Sequence, residues 1–154
     1  MKSRSSYIRT ETIISICINT VLSLGFVFFV FHGQARIPVL GAHGIVSDLV
    51  PQTFMVTLMG CLIPGLLTRK RLLAGDLAWL DHGLEIGVGQ VVVTALIAAI
   101  VVTVVIVGIC WTLLPHVIAG GLSFGHLVIA KVIFGASLAA FMTPWAIRRL
   151  LRSR

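Results

Sequence analysis

Lys131 stands in the middle of the apolar run HLVIAKVIFG, and it poses the sharpest chemical question in the chain. An ammonium at the centre of a membrane helix costs about 2.5–3.5 kcal/mol on insertion scales, so it should face a partner, a cavity or another subunit. It could then act as an anion site, a counter-ion or a proton-coupled amine. The structural alternative is pairing, or snorkelling of the four-carbon stem outward beside His126. Glu11, two residues after Arg9 at the mouth of the first apolar run, could exchange protons with the aqueous phase or simply occupy a favourable first helical turn. Asn19 and Ser23, one turn apart, can hydrogen-bond across a helix interface. Asp48, just before the second apolar run, is suited to capping a helix. His32, His43, His116 and His126 all fall on the predicted outer side of the membrane, and Asp48 could complete a site with them. No pair has the spacing of a helix-face or finger-type metal site, so no metal or cofactor is expected. No P-loop, HExxH, GxSxG or paired-carboxylate pattern is present, and we expect no enzyme.

The elements that must hold these residues belong to a bilayer. Of the 154 residues, 58% are hydrophobic and 11% charged, too little polar surface to coat a soluble globule. A hydrocarbon layer about 30 Å thick takes roughly 20 apolar residues per helix, so the length suits about four spans in one domain. The net charge of +7 could suggest nucleic acid, but the basic residues sit at the edges of the apolar runs, where they set topology. Cys17, Cys61 and Cys110 lie within apolar runs without paired spacing and read as packing residues.

We place the spans at 12–32, 48–67, 86–114 and 122–147, with residues 72–85 as a short amphipathic helix at the interface. Residues 12–32 exceed the apolar core of a cleavable leader, so we expect this span to be retained. Ser47 or Asp48 can cap the second span, with Pro51 in its first turn. The third span is rich in Val and Ile but far too long for a strand. The fold class expected is an all-α, four-helix integral membrane bundle.

Ten of the twelve Lys and Arg residues fall at the N-terminus, in the connection between spans two and three, and at the C-terminus, while the opposite side carries Arg36. By the positive-inside rule both termini are expected in the cytoplasm, in a bacterial inner membrane. An offset of 80 residues lays Phe54, Leu58, Pro64 and Arg69 on Phe134, Leu138, Pro144 and Arg149. Each even-numbered span thus has a proline five residues before a basic-side arginine, the mark of two tandem, parallel helix-pair units.

With basic stops TRKR and RRLLR and the fragment RTE at residues 9–11, the chain resembles small bacterial four-span proteins made of duplicated two-helix units, the proteobacterial antimicrobial compound efflux family among them. That resemblance implies proton-coupled export of amphipathic cations, with Glu11 the nearest match to the family's membrane-embedded acid. Two function classes follow. In the first reading the chain is a non-catalytic membrane subunit or assembly partner whose polar residues pair with another chain. In the alternative it is an efflux transporter with Lys131 and Glu11 in an aqueous path. In either reading we expect a homo-oligomer or association with another membrane subunit, since 154 residues leave little room for a substrate path within one copy. The lipid bilayer is a partner in both, and nucleic acid in neither.

Overall fold

The computed structural model describes residues 4–75, 87–118 and 120–151. Four helices dominate it: α1 (Arg4–Phe31), α2 (Ile45–Leu73), α3 (Val88–Val117) and α4 (Phe124–Leu150). Each is long and apolar enough to cross a membrane, and together they make an all-α four-helix membrane bundle. Within hydrocarbon a helix satisfies every backbone polar group internally, which is why even the Val- and Ile-rich α3 is helical rather than extended. The helices overrun the apolar stretches read from sequence. α1 starts at Arg4, and α2 carries its basic residues Lys70 and Arg71 in its last turn, where cations complement the helix dipole.

The start of α2 differs from expectation. Its N-cap is Gly44, with no side-chain cap, and the Ser47 hydroxyl donates to the Gly41 carbonyl instead. Asp48 therefore lies inside the first turn of the helix with its side chain free to point inward, and Pro51 falls beyond that turn. Of the interfacial segment at 72–85, residues 72 and 73 belong to the end of α2, and residues 76–85 lie outside the described residues.

α1 packs chiefly on α4, α3 packs chiefly on α2, and α2 meets α4 in the centre. α1 and α2 touch only lightly, and α3 and α4 scarcely touch. This scheme is unchanged when the first helix pair is exchanged for the second, as two parallel units require. The connections obey the same exchange. Strand β1 (Arg36–Ile37) pairs antiparallel with β2 (Leu122–Ser123), with Arg36 opposite Ser123 and Ile37 opposite Leu122. Gly121 makes this possible: its φ of +82° belongs to the left-handed region, and a side chain there would run into the Ile37 carbonyl. Phe31, Ile37, Ile45 and Leu127 form an apolar cluster beneath the ribbon. At the opposite end, where the basic residues gather, Tyr7 packs with Ile147 and Leu151.

Candidate functional site

On α1, Glu11, Ser15, Asn19 and Ser23 recur at every fourth position and so share one face. All four are buried, together with Gln52, Thr53, Thr57 and Thr68 of α2 and Lys131 and Thr143 of α4. Three helices thus enclose a polar seam within a bundle whose outer surface is apolar.

An ion pair closes each end of it. At the basic end, Arg71 Nη1 lies 2.9 Å from Glu11 Oε1, with the Glu11 side chain only 3% exposed. The Arg71 guanidinium also sits 5.0 Å from the centre of the Tyr7 ring, a cation–π contact. The Thr68 hydroxyl donates to the Pro64 carbonyl at 2.7 Å, so its oxygen is left to accept from the Tyr7 hydroxyl at 2.9 Å. At the far end Lys131 Nζ pairs with Asp48 Oδ2, and the ammonium lies 5.4 Å from the centre of the Phe31 ring. Helical side chains lean toward the helix N-terminus. For α4 that direction is the far end, so the stem of Lys131 climbs inside the protein and finds the first turn of α2. It neither snorkels to water nor reaches His126. On α1, Glu11 marks one ion pair and Phe31 the other, a separation of about 30 Å at 1.5 Å per residue, or the thickness of the hydrocarbon layer.

Between the pairs, the Thr143 hydroxyl lies 2.8 Å from the Ser15 hydroxyl and 3.2 Å from the Gly60 carbonyl, tying α1, α2 and α4 together at one level. Asn19 donates to the Ser15 carbonyl at 2.9 Å, and Gln52 donates to the Ser23 hydroxyl at 3.2 Å. Gly135 lets α4 approach here, because a Cβ on it would run into Ser23. Asn19 Oδ1, Gln52 Oε1 and the hydroxyls of Thr53 and Thr57 are buried without a hydrogen-bond partner among the described residues. Each can take part in a hydrogen bond with water or a polar solute. A cavity of about 30 Å³ between α1 and α2 reaches Glu11, Ser15 and Asn19 past Met59, Ile63 and Leu67. It has room for one or two waters. Each end of the seam joins one acid to one base, so the path carries no net formal charge while offering an ionisable group at either mouth.

The structure therefore unites Lys131 with Asp48 and sets Glu11 and Asn19 along the same seam. Asp48 is a partner of Lys131 rather than a helix cap. His126 stands apart, exposed at the far end with Nδ1 2.7 Å from the Ser123 hydroxyl. His32, His43 and His116 are exposed too, and among the described residues no three metal-ligating side chains gather. Sequence reasoning treated Arg71 only as a stop signal, and it passed over Ser15, Gln52 and Thr143. The four-residue spacing of Asp48 with Gln52, and of Glu11 with Ser15 and Asn19, was the available signal. Compared with protein-family models, with curated proteins and with solved structures, the chain matches none, so the seam is read from its own residues.

Proposed function

We propose that this protein is a small proton-coupled transporter of amphipathic solutes, cations foremost, with the buried seam as its path. The observation that carries the reading is continuity: polar groups of α1, α2 and α4 face one another inside one chain from one ion pair to the other, over about the depth of the hydrocarbon. Isolated polar residues in a membrane are costly and tend to mark pathways or relays. In this mechanism Glu11 exchanges its bond to Arg71 for a proton or for a solute cation. The released guanidinium stays over Tyr7, near the aqueous boundary. Asp48 and Lys131 do the same at the other mouth, and the amides and hydroxyls between them replace the water that a polar solute or proton leaves behind. The light contact between α1 and α2 admits the apolar part of a solute from the lipid side.

The proposal includes an inner-membrane location with both termini cytoplasmic, as the distribution of Lys and Arg implies. A non-catalytic subunit that pairs its polar residues with another chain draws less support, because Glu11 and Lys131 each find a counter-charge within this chain.

The test is flux in proteoliposomes with a pH-sensitive dye inside and amphipathic cations outside. We expect solute-dependent proton movement that Glu11→Gln abolishes and Lys131→Ala strongly reduces. Folded wild-type protein that moves no more protons than empty liposomes would sink the proposal.

A further inference from the structure

Outside the seam, the gap between α3 and α4 holds a feature that the transport reading does not use. Because these helices scarcely touch, a groove of about 880 Å³ opens between them at the basic end, lined by Gln90 and Thr94 of α3 and by Trp145, Arg148 and Arg149 of α4. A second cavity of about 350 Å³ shares Thr94, Trp145 and Arg149 with it and continues along Ala98, Val101 and Met142. The first part is a cationic mouth, and the second is an apolar slot running toward the middle of the membrane.

The matching gap between α1 and α2 explains why this one stays cationic. There, Glu11 faces the arginine at the end of α2. At the same 80-residue offset, the buried face of α1 at Glu11, Ser15, Asn19 and Ser23 corresponds to Val91, Ala95, Ala99 and Thr103 on α3. Valine replaces the acid, and no carboxylate lines the groove among the described residues. The Arg149 guanidinium lies 5.6 Å from the centre of the Trp145 ring, which holds it over the mouth. A second copy of the chain is a poor occupant, since its basic end would repel this one and its described acids, Glu11 and Asp48, are buried in ion pairs.

We propose that the α3–α4 groove binds an anionic phospholipid from the leaflet at the basic end. The guanidinium of Arg149, joined by that of Arg148, grips the headgroup phosphate, and one acyl chain lies along Ala98, Val101 and Met142. Planar guanidinium forks match phosphate oxygens two at a time, and basic pockets between membrane helices select anionic headgroups on this principle. The site is separate from the seam and stands whether or not the seam transports.

The test uses the full chain in detergent with Trp79→Phe and Trp111→Phe, which leaves Trp145 as its fluorophore, titrated with phosphatidylglycerol or phosphatidylcholine brominated on the acyl chains. Phosphatidylglycerol should quench Trp145 at the lower concentration. At roughly fivefold per basic residue, Arg148→Gln/Arg149→Gln should raise its half-quenching concentration about 25-fold. Both arginines are exposed, so circular dichroism should be unchanged. Val101→Phe, which fills the slot and spares the arginines, should also weaken quenching. Equal quenching by the two lipids, an unaltered double-arginine variant, or displacement of phosphatidylglycerol by millimolar inorganic phosphate would each overturn the proposal.

Discussion

α1 and α3 hold equivalent places in the bundle, yet their buried faces obey different rules. α1 buries Glu11, Ser15, Asn19 and Ser23 where α3 buries Val91, Ala95, Ala99 and Thr103. α3 meets α2 through small side chains: Ala95 and Ala98 pack with Cys61, and Gly65 leaves space for Val91. Helices in lipid gain little from hydrophobic burial against one another, so close approach of small residues is the simplest way to hold them. α1 takes the costlier route. Its polar face is tolerable because Arg71, Gln52 and Gly60 on α2 and Thr143 on α4 stand opposite it. α3 thus behaves as scaffold and α1 borders a polar interior, although the two hold equivalent places.

Removing Lys131 should break this contrast most severely. Lys131→Ala leaves Asp48 buried without its counter-charge and should cost about 3–5 kcal/mol, measured by unfolding in mixed micelles. Replacing both partners, as Lys131→Met with Asp48→Leu, should restore most of that stability while removing any transport. A double variant as unstable as the single one would mean that the ion pair is not what the seam depends on.

Glycine substitutions sharpen the comparison with opposite signs. Gly135→Ala drives a methyl into Ser23 and should destabilise by about 1–3 kcal/mol, with partial recovery when Ser23→Gly is added. Gly108→Ala, on the exposed face of α3 with nothing near its Cβ, should stabilise by up to about 1 kcal/mol through helix propensity. Thermal melts of the two variants side by side would check this, and a shift in the same direction for both would undo the contrast.

The smallest effect belongs to single hydroxyls. Thr143→Ala loses the junction with Ser15 and Gly60 and should cost about 0.6 kcal/mol, with about 1.7 as the ceiling for such bonds in membranes. Combined with Ser15→Ala in a double-mutant cycle, it should give a positive coupling. Ala99→Ser on α3 should change stability by less than about 0.5 kcal/mol, because the new hydroxyl can bond its own helix backbone.

How far the sequence could be read follows from the same contrast. Four spans were legible because apolar length alone decides them, and even α3, with its strand-favouring Val and Ile, had no other state available in lipid. The depth of Lys131 was visible too. Its partner was not, because Asp48 at the edge of an apolar run looks like a cap. Only the backbone shows that α2 begins at Ile45, capped by Gly44, and turns that carboxylate inward. Arg71 illustrates the same limit, since a basic stop and one half of an ion pair are identical in one dimension. The two-residue ribbon of β1 and β2 left no pattern, as it joins connections far apart in sequence through backbone hydrogen bonds.

The pairing of α1 with α4 also bears on how the protein is made. α1 rests chiefly on α4, with some 90 residues of chain between Phe31 and Phe124 synthesised in the interval. During that time Ser15, Asn19 and Ser23 face lipid or a translocation machine rather than α4. A nascent chain halted after α3 would have its scaffold half complete and its polar face unmatched, a form that membrane quality control can recognise. The arrival of α4 after the other three helices makes assembly of the seam a checkpoint on synthesis of the whole bundle.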